Sequence, residues 1–273
     1  MNDVIVVGGS FSGLSAALLL GRSRRQVTVL DTGSPRNRYA RHAHNLLGFD
    51  DVPPGEILAT ARQQIERYST VRFVNAKALS ASGEAGDFTV RTDDGDHHAR
   101  RLILSYGVSD QAPPLPGFSD CWGISVLHCP YCHGYEVAER RWGLIYSTPL
   151  SLHATSLYGD WTDQVTLFTD GHELPEAEKD KLERRGVRLV EGKVASIDHQ
   201  DGQLSAVRLE DGSAVELDAL FAHPPNRPSA RLHEDLGVEM VETPTGLAIK
   251  VDDKQQTSVA GVYAAGDIAT PMH

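Results

Sequence analysis

Residues Val4-Ile5-Val6-Val7 form an unbroken apolar, β-branched run that stops at Gly8-Gly9-Ser10-Phe11-Ser12-Gly13, and Leu14-Ser15-Ala16-Ala17-Leu18-Leu19-Leu20 follows at once. This reads as a strand, a tight turn and a helix. Gln26-Val27-Thr28-Val29-Leu30 is a second strand, and it ends on Asp31. The unit is therefore βαβ with an acid at the tip of its second strand, the arrangement that binds a dinucleotide. Gly8 permits the sharp turn, Gly13 lets helix and strand pack closely, and the helix N-terminal amides from Ser10, Phe11 and Ser12 onward face a pyrophosphate. Ser10 replaces the usual second glycine, but its side chain is small enough to admit a phosphate. Asp31 stands 18 residues past Gly13, in the position of a ribose-binding acid.

The rest of the 273 residues extend this pattern. A helix is expected from Glu56 to Tyr68, and short strands at Phe88-Thr89-Val90-Arg91 and Arg101-Leu102-Ile103-Leu104. Between Gly107 and Gly117 the chain is too proline-rich for a helix or a central strand, which marks a domain crossing. A second βαβ unit follows: Trp142 to Tyr146 as strand, Leu150 to Gly159 as helix, Val165 to Phe168 as strand. A helix from Pro175 to Arg185 and strands near Val187 to Val190 and Leu204 to Leu209 complete it. Pro224-Pro225-Asn226-Arg227-Pro228 is another break, and Thr257 to Asp267 returns to the first domain. The expected fold class is α/β, with two Rossmann-like three-layer domains, the second inserted in the first. The first spans residues 1–112 and 243–273, and the second 113–242.

Charge narrows the partners. Lys and Arg number 26 against 37 Asp and Glu, a net charge of −11, which argues against binding nucleic acid or an acidic membrane. The longest apolar stretch, Ala16 to Leu20, is far short of the ~20 residues a membrane helix needs. The start, Met1-Asn2-Asp3, lacks the basic segment of a signal peptide. A cytoplasmic protein is expected.

Three cysteines make no disulfide scaffold, but Cys129-Pro130-Tyr131-Cys132 is a C-x-x-C pair. A structural zinc site wants four ligands, and with Cys121 the one other cysteine it would have to recruit His128 or His133. No metal is expected. The redox reading needs a stabilised thiolate and a partner thiol able to close a disulfide, and C-x-x-C supplies both. His128 and His133 flank the pair among 12 histidines in the chain. A dithiol that gives up two electrons also loses protons, so His133, next to Cys132, is assigned acid/base duty. Cys121 reads as a buried, idle thiol.

The second βαβ unit is informative for what it lacks. Ser147, Pro149 and Leu152 stand where phosphate-binding glycines belong. Proline removes an amide, and leucine obstructs the helix contact that glycine permits. Thr169-Asp170-Gly171-His172-Glu173 offers no arginine for the 2′-phosphate of NADPH. Binding of NADPH is not expected.

Taken together, Gly8 to Gly13, His44-Asn45-Leu46-Leu47-Gly48, Cys129-Pro130-Tyr131-Cys132 and Ala264-Ala265-Gly266-Asp267 resemble the low-molecular-weight thioredoxin reductase-like flavoproteins. The resemblance implies FAD in the first domain, with Asp31 near the adenosine ribose, Gly266 and Asp267 near the ribityl and pyrophosphate region, and Asn45 in the cofactor set. It also implies Cys132 beside the isoalloxazine, Cys129 exchanging with substrate, and a homodimer. Reductases of the family carry an aspartate after the second cysteine, whereas His133 stands here. Cys-Pro-Tyr-Cys-His-Gly-Tyr-Glu instead resembles dithiol oxidases of the gliotoxin and holomycin type, which dispense with a nicotinamide and pass electrons to oxygen. The expected substrate is a small dithiol or a thioredoxin-like protein. A disulfide reductase fed by NADPH or by a donor such as ferredoxin remains open, as does a flavin-binding redox sensor. The family runs on past its Gly-Asp into a helix, so a further segment is expected after His273.

Overall fold

A computed structural model describes residues 1–244 and 246–270. The chain divides into two compact units, the first built from Met1–Arg38, Pro54–Gln111 and Pro225–His273, the second from Tyr39–Pro53 and Ala112–Pro224.

The first unit opens with β1 (Asn2–Val7), α1 (Phe11–Arg22) and β2 (Val27–Asp31), as the sequence predicts. It continues through α2 (Pro54–Ile65), β3 (Val71–Asn75), β4 (Ala78–Glu84), β5 (Asp87–Thr92), β6 (Gly95–Leu104) and β7 (Val108–Asp110). The main sheet runs β3-β2-β1-β6-β5-β4; the first four strands are parallel and the last three antiparallel. Alternation along β1 and β2 divides their side chains between two cores. Val4, Val6, Val27 and Val29 pack with Leu14, Ala17 and Ile65, while Ile5, Val7 and Leu30 pack with Phe88, Leu102 and Leu104. Each such side chain, fully buried, contributes about 1.5–3 kcal/mol, so the sheet is held from both faces.

The second unit holds α3 (Phe118–Cys121), β8 (Val126–Leu127), α4 (Pro130–His133), β9 (Trp142–Ile145), α5 (Pro149–Tyr158), β10 (Val165–Phe168), α6 (Glu176–Arg184) and β11 (Arg188–Val190). An antiparallel ribbon of β12 (Val194–Gln200), β13 (Gln203–Leu209) and β14 (Ala214–Glu216) leads into β15 (Ala219–Phe221). The parallel sheet runs β11-β10-β9-β15-β8. Leu167 and Phe221 enter one core with Trp142 and Tyr158, and their neighbours Phe168 and Leu220 enter the other. This is again a Rossmann-like layering, so the α/β class with two such units is what the structure has.

Two boundaries differ from the sequence expectation. The return to the first unit falls at Pro225 rather than at residue 243. The reason is β16 (Asn226–Pro228), which pairs antiparallel with β7 and parallel with β18 (Gly246–Ile249); α7 (Leu232–Asp235) lies between them in sequence, and β17 (Met240–Thr243) completes that four-stranded sheet. The other difference is that Tyr39–Pro53 belongs to the second unit, although it lies within the first in sequence. After β18 the chain forms β19 (Val262–Ala264), parallel to β6. No helix among the described residues is long and apolar enough to cross a membrane.

Candidate active site

In the second unit Cys129 ends an extended stretch and Pro130 opens α4. The proline ring presets the helical φ and brings no N–H that would go unpaired there. Cys132 follows one turn later, on the same side. The N–H groups of Cys132 and His133 both donate to the Cys129 carbonyl at 3.2 Å. Both thiols are free and half-buried. The Cys132 S–H, joined by the N–H groups of Cys132 and Tyr131, donates to the Cys129 sulfur and holds its pKa at about 6 although burial opposes this. The same bond, together with burial, pushes Cys132 far above the ordinary thiol value. The pair therefore carries one negative charge, on Cys129.

Two histidine pairs involve the residues that flank this dithiol in sequence, His133 with His44 and His128 with His223. His133 is pushed down by burial and by the neighbouring His44, so it is neutral at pH 7 and can accept a proton. Its Nε2 is buried and has no hydrogen-bond partner among the described residues. The His44 ring meets His133 edge-on at 6.1 Å, and its Nδ1 lies 3.6 Å from Glu136 Oε1 and 3.8 Å from Asp50 Oδ1. His128, just before Cys129 in sequence, meets His223 at 5.2 Å, and burial lowers the pKa of His223. Cys121 is fully buried and its thiol is raised by desolvation, which suits the idle role read from sequence.

In the first unit the glycine loop is as tight as the sequence implies. Gly8 has φ +104°, and a Cβ there would lie 2.3 Å from the Ser105 carbonyl oxygen. A Cβ on Gly13 would lie 1.8 Å from the Gly8 carbonyl oxygen, so helix and loop close on each other only without side chains. The Ser10 side chain makes no capping bond, which leaves the mouth of α1 open to an anion. Asp31 accepts the Gly9 N–H at 3.0 Å and the Gly33 N–H at 3.2 Å. Gly266 packs against Ser12 and so brings Asp267 to the first turn of α1. Arg36 donates to Asp267 at 3.1 Å and grips both oxygens of Asp110, at 2.9 and 2.5 Å.

The sequence pattern of the pyridine nucleotide-disulphide oxidoreductases matches residues 2–273. The chain belongs to that family. Among curated relatives, thioredoxin reductase tcpT of Claviceps purpurea is 34% identical over 281 residues, 97% of this chain and 86% of the relative. Thioredoxin reductase sirT of Leptosphaeria maculans is 33% identical over 293 residues, 99% of this chain and 88% of the relative. Among solved structures, an oxidoreductase from Agrobacterium tumefaciens superposes with a TM-score of 0.94 at 42% identity, over 99% of this chain and 90% of that one. HlmI superposes with a TM-score of 0.92 at 35% identity, over 100% of this chain and 86% of that one. The chain is thus a thiol–disulfide oxidoreductase of the thioredoxin reductase-like type, and membership implies a flavin.

The open mouth of α1, the side-chain-free cradle at Gly8 and Gly13, and the acid at Asp31 fit the phosphates and ribose of such a group. Gly8, Ser10, Phe11, Ser12, Gly13, Asp31, Gly266 and Asp267 all lie in the first unit, around that helix mouth or at the ends of β2 and β19. Cys129 caps the start of α4, and Cys132 and His133 lie within it. Asn45 lies in the second unit, in the left-handed region at φ +63°, with its N–H on Asp50. Sequence reasoning missed His44 and His223 as partners of the histidines that flank the dithiol, and Glu136 as a partner of His44. The His44-Asn45 segment stood out as a motif, but only the folded chain puts its imidazole beside His133.

Proposed function

We propose that the protein is an FAD-dependent oxidase that closes a disulfide in a small dithiol, in the cytoplasm and as a homodimer. The observation that supports this direction is the contrast between two helix mouths. The α1 mouth is open, whereas at α5 the N–H groups of Ser147 and Thr148 point to Ser151 Oγ at 3.1 and 3.4 Å, and the Ser151 N–H donates to the Thr148 carbonyl at 2.9 Å. Pro149 has no N–H to offer. In the turn that would hold a nicotinamide dinucleotide, the Ser147, Thr148 and Ser151 amides are thus taken by the turn's own residues. Electrons then come from the dithiol side, not from NADPH.

The chemistry of the pair suits the same direction. A substrate thiolate attacks the Cys129 sulfur of the Cys129–Cys132 disulfide, and Cys132 leaves and takes up a proton. The second substrate thiol, giving its proton to His133, attacks the substrate sulfur of the mixed disulfide and expels Cys129 as a thiolate. The substrate has lost two electrons and the protein pair has gained them. A leaving thiol with a pKa of about 6 departs readily, and stabilising the reduced form makes the disulfide a stronger oxidant. Bound FAD supplies the two-electron relay from the reduced pair to oxygen. The residues proposed to hold it are Gly8, Ser10, Phe11, Ser12, Gly13, Asp31, Gly266 and Asp267, with Asn45 included by resemblance.

The names of the curated relatives favour a second reading, a disulfide reductase fed by NADPH or by a protein donor such as ferredoxin. Anaerobic flavin absorbance separates the two. Bleaching by a small dithiol but not by NADPH, with recovery in air, is the oxidase result; rapid bleaching by NADPH overturns it. Cys132→Ser is expected to abolish turnover while flavin stays bound, and undiminished turnover would sink the assignment.

A further inference from the structure

A cleft in the second unit is lined in part by the C-x-x-C segment, through Tyr131. Tyr131, which stands between the two cysteines, forms one wall and meets the Trp161 ring edge-on at 5.4 Å. Tyr135, 86% exposed, continues this aromatic side. His44, Asn45, Asp50 and Glu136 line the rest, and no Lys or Arg is among the lining residues. Among the described residues, the only charged partner within ion-pair range of either carboxylate is His44. Protonated or neutral, one imidazole cannot balance two carboxylates, so the cleft keeps a negative charge around neutral pH.

We propose that this cleft selects the dithiol by charge, admitting neutral or cationic ring-bearing small dithiols and turning away carboxylated ones, with Asp50 and Glu136 as the specificity-determining residues. The proposal rests on the reading that Cys129 is the thiol that meets the substrate. Aromatic faces attract apolar rings and cations. A carboxylate entering this cleft shares it with two like charges, whose field salt screens over a Debye length of about 8 Å at physiological ionic strength. Both carboxylates are partly solvated, so their repulsion is moderate and falls as salt is added. An anionic reagent is expected to lose about fivefold to tenfold against its neutral counterpart at low salt.

The test uses the reduced holoenzyme and two alkylating probes of similar size, neutral iodoacetamide and anionic iodoacetate. Modification at Cys129 is followed by mass spectrometry and normalised to the same rate ratio on free 2-mercaptoethanol. Iodoacetate should be disfavoured about fivefold to tenfold beyond the free-thiol ratio at low salt, and the discrimination should shrink toward 1 M salt. Asp50→Asn with Glu136→Gln should remove most of it. A second arm compares turnover of reduced lipoamide and reduced lipoate, which share a dithiol and differ in charge, and lipoamide should have the higher kcat/KM. A ratio equal to that of the free thiol, or a discrimination insensitive to salt, overturns the proposal without recourse to any variant. Charge-selective alkylation with no oxidation of either dithiol would overturn the oxidase reading and leave the selection by charge standing.

Discussion

Replacing Cys132 with alanine removes the S–H that contributes most to holding the Cys129 thiolate. The pKa of about 6 at Cys129 should then climb toward the ordinary thiol value, about 8.5. The N–H groups of Tyr131 and residue 132 remain, so a midpoint of roughly 7–8.5 is expected rather than a full return. At pH 7 the thiolate fraction would fall from about 90% to as little as ~3%. The alkylation rate at that pH would fall much less, because the more basic thiolate is the better nucleophile. With a Brønsted slope of about 0.4–0.5, a rise of two units returns roughly a factor of ten. The assay must therefore read the midpoint of the pH–rate profile with iodoacetamide, not a rate at one pH. A midpoint near 6 in the reduced wild type that moves up by at least one unit in Cys132→Ala is the expected result. A wild-type midpoint of 8 or more, or one that the substitution leaves in place, would refute the hydrogen-bond account.

Other perturbations test the first unit and the buried imidazoles. Gly13→Ala puts a Cβ 1.8 Å from the Gly8 carbonyl oxygen, so the purified protein should lose most of its flavin absorbance; full occupancy would show that the loop does not cradle the cofactor. Arg36→Ala strips Asp110 and Asp267 of their shared partner. With side chains 21%, 12% and 34% exposed, this should cost about 2–3 kcal/mol, less than a fully buried pair, and be read as a lower Tm. His133, His223 and His233 are all held below the ordinary imidazole value by burial. As pH falls through about 6.5 the unfolded chain takes up protons that these buried groups refuse, so stability rises with pH across that window. The Tm of the oxidised protein, in which Cys129 does not titrate, should drop between pH 7.5 and 5.5; a flat profile would contradict the burial.

The sequence announces the parts of this fold that rest on local patterns. The run Val4 to Val7, the glycine turn and the strand ending on Asp31 each bury or bend for reasons visible within ten residues. Pro130 between two cysteines likewise dictates where α4 begins. The helix expected at Glu56 to Tyr68 lies instead at Pro54–Ile65, because proline suits the first helical turn and the chain after Ile65 closes in tighter turns, with the Tyr68 N–H on the Ile65 carbonyl. Long-range pairings were invisible. Asn226-Arg227-Pro228 is too short and too proline-rich to announce a strand, and it becomes one only by pairing with β7 and β18. Tyr39–Pro53 has no period of its own, so nothing local says which unit it joins. His44 acquires meaning at the candidate site only through that placement.

The closed turn at α5 also bears on how the second unit survives in a cell. A dinucleotide domain whose helix mouth stays open is stabilised by its ligand, and its Tm rises and falls with ligand supply. With Ser151 serving the Ser147 and Thr148 amides, that turn satisfies these two donors as it folds. On the oxidase reading proposed above, the platform that carries the dithiol stands equally firm in starved and well-fed cells, indifferent to the level of reduced nicotinamide.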